Sequence, residues 1–119
     1  MTTCVEEAAG AAGQRGAPEP RQISALHRLW LLASGNTGQS RVAAALLLSL
    51  YNGRRFPFDV TSLRLLDSSQ FADCLVALEV DRCASGEVHV LLGVGNEPFE
   101  QLADAGRHVD VQRLEQRCS

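Results

Sequence analysis

One stretch of the chain carries nearly the residues that bind a phosphate group. Residues 33–40 read ASGNTGQS, and the ending Gly38-Gln39-Ser40 differs by one residue from the Gly-Lys-Ser that closes a P-loop. Two positions of the motif do not match, because Ala33 stands where the first glycine belongs and Gln39 stands where the lysine belongs. The chain has no lysine at all, since its eleven basic residues are all arginines. We therefore expect no bound nucleotide.

The same stretch is explained more simply as a corner between two helices. Gly35 is predicted to end the first helix in a left-handed conformation, and Thr37 or Ser40 is predicted to cap the second. The free amides at the start of the second helix, with Arg41 beside them, can still attract an anionic group of a partner. Arg41 is therefore a candidate partner-binding residue.

Metal binding and catalysis lack the groupings of side chains that they require. The three histidines, His27, His89 and His108, lie far apart in the sequence, and no Cys-x-x-Cys pair is present. No motif places a base beside a serine or cysteine nucleophile. We therefore predict a protein that is not an enzyme and that holds no cofactor or metal. The four cysteines are scattered and indicate no disulfide framework, which fits a reduced, cytoplasmic setting.

An arginine-rich and aromatic segment is the strongest candidate for binding. Arg54 and Arg55 precede Phe56 and Phe58, and Tyr51 lies just upstream. Guanidinium groups beside aromatic rings suit carboxylates, phosphates and stacking partners. We predict the following partner-binding residues: Tyr51, Arg54, Arg55, Phe56, Phe58 and Arg41.

Charge is distributed unevenly along the chain. Residues 21–66 contain six arginines against Asp59 alone, whereas residues 67–119 contain ten acids and four arginines. Opposite charges in two parts of a chain arise from an acidic partner of the basic part, from head-to-tail self-association, or from pairing within the molecule. Pairing within the molecule is the most common of the three.

Apolar spacing predicts two helices in the first part of the chain. Between Arg21 and Ala33 large apolar residues recur at helical intervals. From about Ser40 to Tyr51 the sequence is apolar nearly all round, which is typical of a central helix covered on several sides. Phe56 and Phe58 then anchor an irregular segment on the core, and Asp59 or Thr61 caps a short helical turn.

The second part of the chain predicts three further helices. Asp67 and Gln70 form a capping box, after which Phe71, Cys74, Leu75 and Leu78 share one face that we expect to be buried. Residues 87–93 fit either a strand or a short helix, and we prefer the helix because no second strand is available to pair. A last helix begins at the cap Asn96 and stops at Gly106, with Phe99, Leu102 and Ala103 facing inward.

These elements predict an all-α fold, a compact bundle of about five helices around a central apolar helix. Residues 1–19 contain few large apolar residues, so we expect a disordered N-terminal tail. Residues 20–106 form the single helical domain, and residues 107–119 are a frayed helix or a tail. The longest apolar run is far shorter than the ~18 residues that span a bilayer, so no membrane association is expected.

A helix-turn-helix reader of DNA is the main alternative in the basic part, residues 21–66. The order helix, glycine-containing turn, helix is present. However, the second helix should present polar side chains to the major groove, and residues 42–50 offer only Ser49. Nucleic-acid binding would therefore depend on the arginines rather than on a recognition helix.

Three segments resemble a family of small uncharacterised proteins encoded on proteobacterial plasmids and integrative conjugative elements. The resemblance covers roughly residues 22–105 and rests on SGNTGQSRVAAALLLSLYNGRRFPFDVTSLRLLD, EVHVLLG and FEQLA. Its markers are GQSR at 38–41, YNGRRFPF at 51–58 and LLD at 65–67. The resemblance implies a bacterial cytosolic protein from mobile DNA, and it implies no activity and no site residue.

The sequence as a whole favours a non-enzymatic helical protein that acts by binding another macromolecule. We rank a protein partner or self-association first, as for a regulator, adaptor or inhibitor of a host or element-encoded complex. The alternative is a nucleic-acid-binding accessory protein that uses the basic part of the chain.

Overall fold

Helices account for every regular element in the described part of the chain. The computed structural model describes residues 18–83, 87–106, 108 and 110–118. Their α-helices are α1 (Pro20–Ala33), α2 (Gly38–Tyr51), α3 (Ser68–Cys83), α4 (Val88–Leu91), α5 (Asn96–Gly106) and α6 (Val111–Cys118), and a 3₁₀ helix (Val60–Leu65) lies between α2 and α3. No strand occurs among these residues. The all-α prediction is therefore confirmed, including the helix preferred for residues 87–93.

Hydrogen-bonding side chains determine where the first helices begin. The backbone amide of Glu19 donates to Oε1 of Gln22 at 2.9 Å, and Pro20, which has no amide hydrogen to leave unpaired, opens α1. Oγ1 of Thr37 accepts from the amide of Ser40 at 3.0 Å and so caps α2. The residues read as a near P-loop are thus a helix corner, as the sequence predicted.

Gly35 has a different role from the one predicted. Its φ angle is not in the left-handed region, since the positive φ angles among the described glycines belong to Gly93 and Gly95. A Cβ atom at Gly35 would instead lie 2.7 Å from Oγ of Ser40, which is buried. Gly35 is therefore required for a close approach between the end of α1 and the first turn of α2, not for a left-handed cap.

The core is built around α2, as its apolar composition predicted. Six of its apolar side chains are buried, and Phe99 and Phe56 complete the centre. Helix α1 contributes Leu26 and Leu29, and α5 contributes Phe99 and Ala103. The buried residues of α2 are Val42, Ala43, Ala44, Leu46, Leu47 and Leu48.

Helix α3 turns a different face to the core from the one predicted. Its capping box is present, because the amide of Gln70 donates to Oδ1 of Asp67 at 2.8 Å and the amide of Asp67 donates to Oε1 of Gln70 at 3.0 Å. Its buried residues, however, are Cys74, Ala77 and Val80. The expectation that Phe71, Leu75 and Leu78 are buried is wrong, since all three are exposed.

The turn from α4 to α5 requires two glycines. Gly93 and Gly95 have φ angles of 73° and 78°, a conformation that costs other residues about 1–2 kcal/mol. Helix α5 then begins at Asn96 itself, so Asn96 lies in the first turn and not before it. Phe99 and Ala103 are buried as predicted, and Leu102 packs against the core from its edge.

The four cysteines differ in their state. Cys74 is free and buried in α3, whereas Cys83 is disulfide-bonded. The spacing of the cysteines indicated no disulfide framework, so the disulfide at Cys83 was not predicted. Among the described residues, no helix has both the length and the apolar character needed to cross a bilayer. The tail expected at residues 1–19 lies, as far as residue 17, outside the described residues.

Candidate protein-binding surface

The segment that follows α2 folds back so that Phe56 enters the core. Oδ1 of Asn52 accepts from the amide of Arg55 at 3.3 Å, and the carbonyl of Asn52 accepts from the amide of Phe56 at 3.0 Å. Phe56 is only 2% exposed, and Phe58 packs against the core while remaining partly exposed. Both rings anchor this segment on the core, as predicted. Because Phe56 is buried, its ring cannot contact a partner directly, and it can only support the residues beside it.

Arg55 binds two acidic side chains within the chain. Its guanidinium donates to Glu100 at 2.7 and 3.0 Å and to Asp110 at 2.6 and 3.3 Å, and it lies 4.8 Å from the centre of the Phe56 ring. These partners raise the pKa of Arg55 above its usual value. Arg55 therefore joins the end of α2 to α5 and to the start of α6.

Tyr51 takes part in the same cluster. Its hydroxyl donates to Oε2 of Glu100 at 2.9 Å, and its ring stacks on Phe99 with centroids 4.9 Å apart. The imidazole of His89 meets the Tyr51 ring edge-on at 5.3 Å. Burial and then the nearby Glu100 raise the pKa of Tyr51, so its phenol remains a neutral donor.

Arg54 and Arg41 are exposed, and they lie at opposite ends of α2. Arg41 and Tyr51 are ten positions apart along this helix, which corresponds to about 15 Å. Arg41 has the His108 imidazole as an electrostatic neighbour. The fold thus brings Tyr51 and Arg55 together around Glu100, directs Phe56 inward, and leaves Arg54 and Arg41 as separate exposed cations.

Within the described part of the chain, the basic and acidic parts neutralise each other in at least two places. Besides the Arg55 cluster, Arg28 in α1 donates to both carboxylate oxygens of Asp73 in α3 at 2.8 and 3.0 Å. Each pair joins an arginine of residues 21–66 to an acid of residues 67–119. Part of the charge asymmetry is therefore absorbed by pairing within the molecule.

The largest exposed apolar residues that share one helix face belong to α3. Phe71, Leu75 and Leu78 are 39%, 49% and 41% exposed and recur at intervals of four and three residues. We call these three residues the α3 stripe. Residues spaced in this way lie above one another on a helix and form one continuous surface.

The position of α1 explains why the α3 stripe faces outward. Helix α1 runs antiparallel to α3, because Arg28 pairs with Asp73 while Gln22 donates to Glu79 at 3.4 Å. Packing against α1 and α2 favours the side chains that allow close approach, namely Cys74, Ala77 and Val80. The larger apolar residues of α3 are thereby left on the opposite side.

A cleft near α4 does not form a convincing ligand site. The cleft is too shallow to enclose a ligand, and apolar side chains from α1, α2, α3 and α4 line it together with Asp81. Burial, and then the negative charge of Glu87, raise the pKa of Asp81, which is the one polar residue among those that line the cleft. Among the described residues, no group of three or more histidine, cysteine, aspartate or glutamate side chains could hold a metal ion.

Comparison with known proteins identifies a family. The model of a family of unknown function, DUF7673, matches residues 23–107. The match covers most of α1, all of α2 to α5, and the residues Tyr51, Arg55 and Glu100, which we call the Tyr51–Arg55 cluster. Neither the comparison with curated proteins nor that with solved structures found a match.

Proposed function

We propose that this chain, which belongs to the DUF7673 family of unknown function, acts by binding another protein and not by catalysis. The observation that carries the proposal is the α3 stripe. Three large apolar side chains on one rigid helix, each 39–49% exposed, form a surface that water solvates poorly. Helical surfaces of this kind bind apolar grooves or helices of other proteins.

The resemblance to small proteins of plasmids and integrative conjugative elements supports a bacterial mobile element as the setting. In that setting the protein would act in the cytoplasm as a regulator, adaptor or inhibitor of a host or element-encoded complex.

The predicted partner-binding residues supply a second part of the proposal. Arg54 and Arg41 are exposed, whereas Tyr51, Arg55, Phe56 and Phe58 would act mainly by shaping the surface around them.

The nucleic-acid alternative has less support. Arg28 and Arg55 bind acids of the same chain, and Arg21 lies 3.6 Å from Glu19. These pairings reduce the positive charge that residues 21–66 can offer to phosphates. Helix α2 is buried, so it supplies no recognition helix for a major groove.

A capture experiment from a lysate of the native host tests the proposal. The immobilised chain is compared with a variant in which the α3 stripe is replaced by serine, Phe71→Ser, Leu75→Ser and Leu78→Ser. A matched control carries three serines at more exposed apolar positions outside α3: Leu31→Ser, Val60→Ser and Leu65→Ser. Thermal unfolding by circular dichroism shows that each variant is folded before use.

We expect the chain and the control to retain the same protein partner after nuclease treatment and the stripe variant to lose it. Equal capture by all three would overturn the assignment to the α3 stripe. Loss of capture on nuclease treatment, with a steep decrease in binding as salt rises, would support the nucleic-acid alternative instead. A further variant, Arg54→Ala, tests the exposed arginine beside the Tyr51–Arg55 cluster.

A further inference from the structure

Cys83 forms a disulfide whose second half is one of two cysteines near the ends of the chain. The four cysteines are Cys4, Cys74, Cys83 and Cys118. Cys83 is disulfide-bonded and Cys74 is free, so the partner of Cys83 is Cys4 or Cys118. Both of these positions lie outside residues 23–107, which the DUF7673 model matches. The bond therefore connects the helical domain to a terminal segment of the chain.

Cys83 and Cys74 belong to the same helix but have different surroundings. They are nine positions apart in α3, which is about two and a half helical turns, so their side chains leave opposite sides of the helix. Cys74 is buried in the core, whereas Cys83 is the last residue of α3 and is only partly buried. A small thiol or disulfide in solution can therefore reach Cys83, while packing protects Cys74.

The apolar core does not depend on the disulfide. Among the described residues, all buried apolar side chains lie between Ala25 and Ala103, and neither Cys4 nor Cys118 falls in that range. The ion pair of Arg55 with Asp110 holds the start of α6 by a separate contact. Opening the disulfide therefore leaves the core in place and changes only how a terminal segment is attached.

The attachment point lies where other helices meet the end of α3. Gln22 in the first turn of α1 donates to Glu79 at 3.4 Å, and apolar residues of α2 and α4 line the shallow cleft beside Val80 and Asp81. A closed disulfide at Cys83 confines the linked segment to this end of the bundle. An open one leaves that segment attached only through the main chain and its other contacts.

We propose that the disulfide of Cys83 is a reversible, redox-sensitive link that attaches a terminal segment of the chain to the end of α3. The inference goes beyond the proposed function but rests on its cytoplasmic setting, where disulfides are usually transient and act in redox sensing. The partial exposure of Cys83 fits this role, because exposed disulfides are reduced more readily than buried structural ones.

A small-molecule thiol–disulfide couple such as glutathione exchanges the two states. On oxidation, one protein thiolate attacks a sulfur of glutathione disulfide, and a glutathione thiolate leaves and takes up a proton. The second protein thiolate then attacks the protein sulfur of this mixed disulfide, which closes the protein disulfide and releases a second glutathione. The protein loses two electrons and two protons, and two molecules of reduced glutathione carry them away.

Peptide mapping of the oxidised full chain tests which bond is formed. The chain is alkylated with N-ethylmaleimide in denaturant without reductant, digested and analysed by mass spectrometry. We expect Cys83 to be linked to Cys4 or Cys118 and Cys74 to be alkylated. Of the variants Cys4→Ser and Cys118→Ser, one should lose the link and the other should keep it. An alkylated Cys83, or a link between two chains, would overturn the inference.

Equilibration with glutathione tests whether the bond is reversible. The oxidised chain is incubated in native buffer with reduced glutathione, the reduced chain is incubated with glutathione disulfide, and free thiols are counted after acid quenching and alkylation. The bond should open in the first buffer and form again in the second, and the matched control Cys74→Ala should respond in the same way. A bond that opens only in denaturant would be a structural crosslink and would contradict the proposal.

Hydrogen exchange measures the release of the linked segment. Amides of the segment that carries the partner cysteine should exchange at least ~10-fold faster in the reduced than in the oxidised chain, while amides of α2 should be unchanged. Cys83→Ser should resemble the reduced chain in both buffers. Equal exchange of that segment in the two states would show that the bond confines nothing, and the inference would fail.

The outcomes separate this inference from the proposed function. If the bond stays closed in native buffer but host-partner capture still requires the α3 stripe, the inference fails and the proposed function stands. If the bond opens and closes with glutathione but capture does not depend on the α3 stripe, the inference holds and the proposed binding surface fails.

Discussion

The Arg55 guanidinium binds the Asp110 carboxylate through Nη2 and Oδ2, which lie 2.6 Å apart. Only 17% of the Arg55 side chain and 6% of the Asp110 side chain are exposed. Asp110 also accepts from the amide of Gln112 at 3.1 Å, so it caps the helix that it attaches. This pair of residues therefore fixes the start of α6 to the segment that follows α2. A backbone hydrogen bond strengthens the attachment, since the carbonyl of Arg55 accepts from the amide of Val111 at 2.8 Å.

Replacing Arg55 by alanine should therefore reduce stability more than it affects binding. The change removes the Arg55 guanidinium from the buried carboxylate of Asp110, which costs about 3 kcal/mol of unfolding free energy, the lower end for a broken buried pair. Arg54→Ala is the matched control and should change the unfolding free energy by less than ~0.5 kcal/mol, because Arg54 is exposed. Urea titrations of both variants measure the difference, and equal effects of the two changes would contradict the role of Arg55.

The close approach of Gly35 to Ser40 predicts a specific coupling between two substitutions. Gly35→Ala should force the Ser40 hydroxyl to rotate and lose its 2.9 Å hydrogen bond to Thr37, at about 1 kcal/mol of unfolding free energy. Gly38→Ala, which has no atom within 4 Å of the added Cβ, should be neutral or slightly stabilising.

A double-mutant cycle measures that coupling. In a Ser40→Ala background the added Cβ at Gly35 no longer meets the Ser40 hydroxyl, and the carbonyl oxygen of Leu32 lies at 3.4 Å, which is an ordinary contact distance. Gly35→Ala should therefore cost clearly less there. The comparison is made from urea unfolding of the four chains. Additive effects would show that the strain lies in the backbone of the corner and not in the contact with Ser40.

His108 should make stability depend on pH below neutrality. Burial, and then the positive charge of Arg41, lower the pKa of His108 below 6.5 in the folded chain. The unfolded chain binds more protons between this lowered pKa and 6.5, so the His108 contribution to stability is complete above pH 6.5 and is lost as the pH falls through that window. His108→Gln should therefore flatten the decrease in unfolding free energy as the pH falls below about 6.5, relative to the unsubstituted chain.

His108 also offers a direct test of the electrostatic cause of its lowered pKa. Arg41→Gln removes a nearby cation, so the pKa of His108 should rise, yet it should stay below 6.5 because burial is the larger cause. Titration of the His108 ring signals by nuclear magnetic resonance measures the pKa in both chains. An unchanged pKa would show that Arg41 lies too far away to act.

Cys74 should be unreactive in the folded chain. Burial raises the pKa of its thiol to about 11, and the thiolate is the reactive form. At pH 8, N-ethylmaleimide followed by peptide mass spectrometry should find Cys74 unlabelled in buffer and labelled in denaturant. Rapid labelling without denaturant would indicate that α3 separates readily from α1 and α2.

Several features of this protein could be read from residues that are close together in the sequence. The apolar run of α2, the Thr37 cap and the Asp67–Gln70 capping box each depend on side chains within a few positions of one another. Local hydrogen bonding and helical periodicity therefore determined the fold class and most helix starts.

Tertiary packing alone decided which face of α3 is buried and which arginines remain exposed. Helices α1 and α2 approach α3 most closely at Cys74, Ala77 and Val80, so small residues are buried and Phe71, Leu75 and Leu78 are not, although apolar spacing by itself favours the larger set. Arg54 and Arg55 are neighbours in the sequence, and only Arg55 faces Glu100 and Asp110, 45 and 55 residues away. Such pairings depend on how whole helices are arranged, and no local pattern of residues records that arrangement.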